Sequence, residues 1–234
     1  MDRDSVVAIF DDAFAERYDD QTTGIESLHD ALHLGMQVAF ARRAGDEPLR
    51  VLCVGAGTGS EIVALANNLT DAHFTAVEPA PAMLARCRDK VEEAGLLGRV
   101  TLHEGFIETL PSSAGAFDCA TCLLVSHFIV GRTERVAFFE AIRRRMRPGG
   151  ILVSADLSWP SDRPAAREAV MDHWVDLMRR SGREIDRAAY AAKVSQHVGL
   201  MTPGAMESVL EDSGFREPVA FYRMSMIGGW FSRA

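Results

Sequence analysis

The run VLCVGAGTGSE, residues 51–61, joins a short apolar segment to three alternating glycines. An apolar segment that ends in a glycine cluster predicts a strand that turns directly into a helix. Glycines in such a turn permit a tight bend and let the backbone approach a ligand closely. A plain strand-to-helix turn does not require three of them, so the run predicts a binding loop.

An acidic residue follows at the end of the next predicted strand. Glu78 comes 19 residues after Gly59, where a carboxylate can accept hydrogen bonds from both hydroxyls of a ribose. Dinucleotides and S-adenosylmethionine both contain ribose, so Glu78 alone does not choose between them. The dinucleotide fingerprint is G-x-G-x-x-G, but here residue 60 is Ser and the third glycine comes one position early. The glycine spacing therefore favours S-adenosylmethionine.

The elements that must position this loop alternate between apolar strands and amphipathic helices. Strands are predicted at 51–54, 74–77, 100–103, 117–124 and 151–155, and helices at 59–69, 80–94 and 132–146. The last helix is expected to end at the Pro-Gly-Gly of residues 148–150. Such alternation is typical of a parallel sheet that helices cover on both faces.

The two ends of the chain do not follow this alternation. Helices are predicted at 4–18, 25–43, 163–181, 186–197 and 203–213, and strands at 216–224 and 225–232. We therefore expect one domain over residues 1–234. Its parts are an N-terminal helical cap (1–45), a cofactor-binding core (46–156), a helical insert over the active site (157–200) and a last helix with the terminal strands (201–234).

The composition is that of an ordinary globular protein. The 234 residues include 25 Lys+Arg and 33 Asp+Glu, a net charge of −8, with 47% hydrophobic and 25% charged residues. These values exclude disordered, collagen-like and coiled-coil classes. The acidic balance disfavours general nucleic-acid binding, which requires clustered basic residues. The first ten residues lack a signal-peptide pattern, and no membrane segment is expected. The four cysteines are best interpreted as buried free thiols, which suit a reducing compartment, so we expect a cytoplasmic protein.

Five motifs, in order, resemble those of the class I S-adenosylmethionine-dependent methyltransferases. They are VLCVGAGTG (51–59), AVEPAPAML (76–84), LHEGFIETLP (102–111), FDCATCLLVSHF (117–128) and MRPGGILVSADL (146–157). The resemblance covers about residues 50–157, and residues 214–231 suit the last two strands of that family. It implies the α/β Rossmann-like methyltransferase fold: a doubly wound, seven-stranded, mostly parallel sheet with one antiparallel strand near its edge and a helical cover.

The resemblance also implies roles for individual residues. The three glycines lie under the methionine portion of S-adenosylmethionine, Glu78 binds the ribose, and the loop at 105–107 borders the adenine. Leu123 lines the methionine end through its backbone. The residues implied to bind the cofactor, and later its product S-adenosylhomocysteine, are Gly55, Ala56, Gly57, Gly59, Glu78, Pro79, Met83, Gly105, Phe106, Ile107 and Leu123.

Two positions depart from the family pattern. The family commonly has an acidic residue at position 53, which supports the amino group of the cofactor, and Cys53 cannot supply that charge. The family also commonly has Asp at position 106, where Phe106 can stack on a base but cannot accept its hydrogen bond. Glu104 is either a replacement acceptor or a solvated side chain.

His127 is the candidate catalytic residue because it follows the fourth predicted strand and histidine titrates near neutrality. It is either a general base for an acceptor that must lose a proton or a ring that packs over the cofactor. Substrate-pocket candidates are Asp156, Trp159, His197 and Arg223. His29 and His33 have the i, i+4 spacing of metal ligands but no evident third ligand, so no metal is expected.

The sequence therefore predicts an enzyme that moves a methyl group from S-adenosylmethionine to a small-molecule acceptor by in-line displacement. A homodimer through the N-terminal or insert helices is also expected. The FDDAFAERYDD segment (residues 10–20), the long insert and the closing strand are similar in layout to carboxy-S-adenosylmethionine synthase and its methyltransferase-like relatives. A synthase of that kind and a non-catalytic S-adenosylmethionine-binding protein are the alternatives.

Overall fold

The computed structural model describes residues 7–19, 25–43, 47–180 and 182–234. In this part of the chain, seven strands form one sheet in the order β3-β2-β1-β4-β5-β7-β6. The strands are β1 (Arg50–Val54), β2 (His73–Glu78), β3 (Val100–Glu104), β4 (Phe117–Leu123), β5 (Met146–Leu157), β6 (Arg216–Met224) and β7 (Ile227–Arg233). Only β7 runs antiparallel to its two neighbours. The predicted seven-stranded, mostly parallel fold is therefore confirmed.

Eight named helices surround this sheet in the described residues. They are α1 (Asp12–Tyr18), α2 (Glu26–Ala41), α3 (Ser60–Ala66), α4 (Pro81–Glu93), α5 (Arg132–Arg143), α6 (Pro164–Arg179), α7 (Arg187–His197) and α8 (Pro203–Asp212). Helices α2, α3 and α4 bury apolar side chains against one face of the sheet. Helices α5 and α8 do so against the other face. The sheet is thus the middle of three layers.

The order of the strands determines where a ligand can lie. From β1 the chain proceeds through β2 to β3 at one edge, then crosses to β4 on the other side of β1. In open α/β sheets a crevice forms at this reversal, outside the carboxyl ends of the strands. Here the loops that follow β1 and β4 border the crevice, and they contain the glycine run and His127.

Helices α6 and α7 form a separate apolar cluster with the turn between β6 and β7. Trp174 and Val175 of α6 and Val194 of α7 are buried together with Met226 and Ile227. Partly buried residues at the carboxyl ends of β4 and β5 pack against this cluster. The insert is therefore attached at the same edge of the sheet as the crevice.

Two predictions of helix boundaries were wrong. The predicted helix at 4–18 is not one helix, because the chain bends at Phe10 and Asp11 caps a new helix. The Asp11 side chain accepts a hydrogen bond from the Phe14 amide at 2.8 Å, as is typical of an N-cap residue. Residues 4–6 and 20–24 lie outside the described residues.

The second wrong boundary is the end of the helix predicted at 132–146. Helix α5 ends at Arg143, and residues 148–150 lie inside the long strand β5. The pairing of β5 with β4 shifts in register between Phe117 and Cys119, and such an irregularity tolerates a proline. Gly150 is required because an added Cβ would lie 2.8 Å from the carbonyl oxygen of Asp118.

The four cysteines are buried and free. Cys119 and Cys122 are three residues apart in β4, so their side chains point to opposite faces of the sheet and belong to different clusters. Within the described ranges, no group of three His, Cys, Asp or Glu side chains could hold a metal ion. No helix in those ranges is both long and apolar enough to cross a membrane.

Candidate functional site

The glycine run forms a left-handed loop between β1 and α3. Gly55, Gly57 and Gly59 have φ values of +69°, +54° and +79°, which residues with a Cβ adopt only with strain. A Cβ at Gly55 would lie 2.4 Å from the Val125 side chain, on the loop after β4. The amides of Gly55 and Ala56 both donate to the carbonyl of Val77, at 2.8 and 3.2 Å. The loop is thereby fixed to β2.

Glu78 is the last residue of β2, and its buried carboxylate holds two loops together. One oxygen accepts from the Gly57 amide and the other from the Ala80 amide, each at 2.9 Å. Burial raises the pKa of Glu78, whereas the two backbone hydrogen bonds lower it. Each carboxylate oxygen has capacity for a further hydrogen bond, so a ligand hydroxyl can still donate to Glu78.

A second buried carboxylate, Glu61, lies above the neighbouring strands β1 and β4. It accepts a hydrogen bond from the Thr121 hydroxyl at 2.6 Å and another from the Cys53 thiol. Burial, with a smaller contribution from the charge of Glu78, raises the pKa of the Glu61 carboxyl from its ordinary value of 4.5 to about 7, although the hydrogen bonds from Thr121 and Cys53 lower it. No basic side chain in the described residues forms an ion pair with Glu61.

Tyr18, the last residue of α1, lies close to both carboxylates. Burial raises the pKa of Tyr18 to about 12, and the charges of Asp19, Glu78 and Glu61 contribute to this shift. The phenol therefore stays protonated at neutral pH and can donate a hydrogen bond. Its position brings the N-terminal segment to the carboxyl edge of β1 and β2.

Apolar contacts hold the N-terminal segment in that position. Ala15 of α1 is buried together with Ala80 and Met83 at the start of α4. The ring of Phe10 meets the ring of Phe128 edge to face, with centroids 5.6 Å apart. The segment therefore reaches from the glycine loop to the loop after β4, across the mouth of the crevice.

A polar cluster connects the same segment to the glycine loop. The ammonium of Lys90 donates to Asp19 at 2.7 Å, to Ser60 at 2.7 Å and to Thr58 at 3.0 Å. The Thr58 hydroxyl also donates to Asp19, at 2.9 Å. Because Thr58 and Ser60 flank Gly59, this cluster ties the end of α1 directly to the binding loop.

His127 lies in a short turn after β4 and is positioned by Asp156 of β5. Its Nδ1 is 3.0 Å from one Asp156 carboxylate oxygen, which also accepts from the His127 amide at 2.9 Å. The other oxygen of Asp156 accepts from the Ser126 hydroxyl. All three residues are buried. An Nδ1 that donates to the carboxylate leaves Nε2 as the acceptor, which is the arrangement of an oriented general base.

The backbone next to His127 is strained. Leu124 follows the predicted cofactor contact Leu123 and has a φ of +59°, although leucine rarely adopts this conformation. The Leu124 amide donates to the Ala155 carbonyl at 2.6 Å, which holds the turn against β5. Strained residues that the surroundings hold in place cluster at functional sites.

The predicted adenine side forms a second wall. Gly105 follows β3 and donates to the backbone carbonyl of Glu78 at 3.1 Å, and Phe106 begins a short turn in which Ile107 is buried. Met83 lies near Gly57, since a Cβ on that glycine would be 3.6 Å from the methionine methyl group. Glu104 is exposed at the end of β3. The residues predicted to bind the cofactor thus follow β1, β2, β3 and β4 at one edge of the sheet.

The predicted substrate-pocket residues are more dispersed. Asp156 points to His127 and is 2% exposed, so its oxygens are already used by the turn that it holds. Trp159 packs against the insert, with the guanidinium of Arg167 over its ring. His197 ends α7, and Arg223 is an exposed residue of β6 that donates to Ser158.

Sequence reasoning missed three residues of this site, namely Tyr18, Glu61 and Ser126. Glu61 had a usable signal, because a carboxylate just after the third glycine falls in the first turn of a helix that begins at the binding loop. Tyr18 and Ser126 had none, since their positions depend on the packing of α1 and on the turn after β4.

Comparison with known proteins places the chain in a family. A methyltransferase-domain model matches residues 51–150. A ubiquinone/menaquinone biosynthesis C-methyltransferase of Methylobacterium nodulans is 30% identical over 207 residues, which are 86% of this chain and 79% of that protein. The chain belongs to the class I S-adenosylmethionine-dependent methyltransferases. The family predicted from the motifs, and with it S-adenosylmethionine as the family cofactor, is confirmed.

Other class I methyltransferases resemble the chain more distantly. A phthiotriol/phenolphthiotriol dimycocerosates methyltransferase of Mycobacterium ulcerans is 29% identical over 180 residues, and the chain spans 64% of its length. The structure of magnesium protoporphyrin IX methyltransferase from Synechocystis PCC 6803, with bound S-adenosylhomocysteine, superimposes with a TM-score of 0.71. It is 15% identical and covers 99% of both chains, so this likeness shows the shared fold.

The elevated pKa of Glu61 predicts a pH-dependent stability. The unfolded chain titrates Glu61 near 4.5 and the folded protein near 7, so the folded state binds more protons between these values. The contribution of Glu61 to stability therefore falls as the pH rises through this window and stays low above it. Glutamine does not titrate. The free energy of unfolding of Glu61→Gln, taken relative to that of the wild type, should therefore be roughly 2–3 kcal/mol higher at pH 8 than at pH 5.

Urea unfolding between pH 5 and pH 8 measures this difference. Glu92→Gln removes an exposed carboxylate on α4 and is the matched control. Its free energy of unfolding relative to the wild type should stay constant across this pH range. A constant difference for Glu61→Gln as well would show that Glu61 ionises normally.

Proposed function

We propose that this protein transfers the methyl group of S-adenosylmethionine to a small-molecule acceptor of apolar or partly aromatic character. The observation that supports this most directly is the position of Glu78. It is a buried carboxylate held by two loop amides beside three left-handed glycines, at the sheet reversal where ligands bind. The family membership supplies the identity of the ligand.

The residues present fit that cofactor. Glu78 would accept from the ribose hydroxyls, and the backbone at Gly55, Ala56, Gly57 and Gly59 would lie under the methionine portion. A side chain at Gly55 would clash with Val125, so glycine at this position lets the loop pack directly against the turn after β4. Met83, Pro79 and the segment Gly105-Phe106-Ile107 would surround the adenine, and Leu123 would border the methionine end.

The cofactor supplies a methyl group that is already activated by its sulfonium charge. The protein therefore has to position the acceptor in line and exclude water. The N-terminal segment supports the second task, because its contacts extend from Met83 to Phe128 across the crevice. The Lys90 cluster would keep that segment closed over the glycine loop.

His127 would act as the general base for an acceptor that loses a proton. With Nδ1 protonated, Asp156 would accept from it and fix the orientation of the ring, so that Nε2 would be the atom that takes the proton. The backbone carbonyl of His127 also accepts a hydrogen bond from the Gly199 amide, at 2.8 Å. The insert and the base are thus parts of one wall of the proposed acceptor pocket.

The character of the acceptor follows from the insert and from the relatives. Leu124, which follows β4, Leu157, which ends β5, and Trp159 all pack against the apolar cluster of α6 and α7. The relatives are named for ubiquinone and menaquinone biosynthesis and for phthiotriol and phenolphthiotriol dimycocerosates. Trp159, Asp156, His197 and Arg223 stay the proposed lining of this pocket, with Arg223 at its polar rim.

The setting of the protein is part of the proposal. Four buried, free cysteines suit a reducing cytoplasm. Leu34 and Val38 are about 60% exposed on the outer face of α2, which supports association of two copies through the N-terminal helices.

Calorimetry with S-adenosylhomocysteine tests the cofactor assignment. The wild type should bind, and Glu78→Gln should bind about 10–100-fold more weakly, because it loses charge-assisted hydrogen bonds to the ribose. Glu92→Gln, which removes the exposed carboxylate on α4, should bind like the wild type. Absence of binding by the wild type at millimolar ligand would contradict the proposed function.

Transfer from tritiated S-adenosylmethionine to a panel of naphthohydroquinones and phenols tests the role of His127. His127→Gln should lower kcat by about 100-fold or more while leaving the affinity for S-adenosylhomocysteine unchanged. Asp156→Asn should lower kcat and alter the pH profile, because it removes the charge that orients the ring. Full activity of both variants would assign His127 to packing alone.

A further inference from the structure

Glu61 is a buried carboxylate for which the described residues provide no positive charge. It is 7% exposed, and its hydrogen-bond donors are the neutral hydroxyl of Thr121 and the neutral thiol of Cys53. Burying a carboxylate without a cation is costly. A buried acid with no structural counter-ion therefore calls for an explanation from function.

The groups around Glu61 increase that cost. The charge of Glu78 raises the pKa of Glu61. The Glu61 carboxylate in turn raises the pKa of the thiols of Cys53, Cys87 and Cys122, which stay neutral. The phenol of Tyr18 also lies in the field of both glutamates. The ammonium of Lys90, which contacts the adjacent Ser60, is paired with Asp19 rather than with Glu61. The one charge that acts on Glu61 in the described residues is the acidic Glu78, so a further positively charged group would stabilise the site.

The position of Glu61 determines which positive group that is. Cys53 of β1 and Thr121 of β4 are direct neighbours in the sheet, and Glu61 contacts both from the first turn of α3. Glu61 therefore lies at the reversal between β1 and β4, on the side of the glycine loop away from the adenine wall. That is the methionine end of the proposed cofactor site, and the methionine portion carries an α-ammonium group.

We propose that Glu61 binds the α-ammonium group of the cofactor and takes the place of the carboxylate that Cys53 does not provide. This inference rests on the proposed function, because it concerns the orientation of the ligand proposed there. The acidic group lies on the helix that follows the loop instead of on the strand. Its hydrogen bond to Thr121 places it beside Cys53, the neighbour of Thr121 in the sheet. Thr121 orients the carboxylate through its hydroxyl.

Two ligands distinguish this role from a structural one. S-adenosylhomocysteine contains the ammonium group, whereas 5′-methylthioadenosine has the same adenosine and thioether without the amino-acid portion. Glu61→Gln should bind S-adenosylhomocysteine about 10–100-fold more weakly and should bind methylthioadenosine within about twofold of the wild-type affinity. Because glutamine keeps an acceptor for Thr121, unchanged binding of methylthioadenosine also shows that the variant is folded.

Proton release provides a readout that does not depend on activity. An ammonium beside Glu61 favours the charged carboxylate, so the wild type should release about half a proton when it binds S-adenosylhomocysteine at pH 7. Calorimetry in two buffers of different ionisation enthalpy measures this number. Glu61→Gln should release no proton, and the Glu92→Gln control should release as many as the wild type.

The outcomes separate this inference from the proposed function. Binding of neither ligand by the wild type would contradict the proposed function and the inference with it. If the wild type binds both ligands, the proposed function stands. The role of Glu61 alone would then be contradicted if Glu61→Gln lost the same affinity for both ligands, or if it released as many protons as the wild type.

Discussion

The burial of two carboxylates at the carboxyl edge of the sheet is the constraint on which the rest of this structure depends. Glu78 needs donors, and the amides of Gly57 and Ala80 supply them. The Gly57 amide can point at Glu78 because the glycine loop is left-handed, a conformation that its glycines adopt easily since they have no Cβ. The glycine spacing and the acid at the end of β2 are therefore one feature, in which neither part works without the other.

The covering elements are arranged around this edge. The N-terminal segment contacts α4 through Ala15 and Met83, and the loop after β4 through Phe10. The insert is fixed by the hydrogen bond between Gly199 and His127. Arg135, buried in α5, donates to the carbonyls of Ile129 and Gly199 and secures the same junction. Both covers thus end on the turn that presents His127, so cofactor and acceptor would meet beneath them.

The core of the fold and its binding edge could be predicted because their signals are local. A strand that ends in glycines, an acid that ends the next strand, and the order of five motifs all depend on residues close in sequence. The long strand β5 could not be predicted in full, because Pro148 to Gly150 are a stop signal for a helix. Their place in the sheet depends on the pairing of β5 with β4, a strand distant in sequence, where Gly150 closely approaches the Asp118 carbonyl.

The same distinction holds within the site. The pairing of His127 with Asp156 joins residues 29 positions apart, and sequence reasoning named both residues without connecting them. The departure at Cys53 was visible in the sequence, but the compensation by Glu61 that we propose was not. It required the contact between α3 and the strands β1 and β4, which only the folded chain provides.

A crystal structure of the protein with S-adenosylhomocysteine would show whether the two buried carboxylates bind the two ends of one ligand. We expect the ribose hydroxyls within hydrogen-bond distance of Glu78 and the α-ammonium group within that distance of Glu61. A ligand bound at this edge with its amino group directed away from Glu61, or with no ribose oxygen in contact with Glu78, would rule this binding mode out.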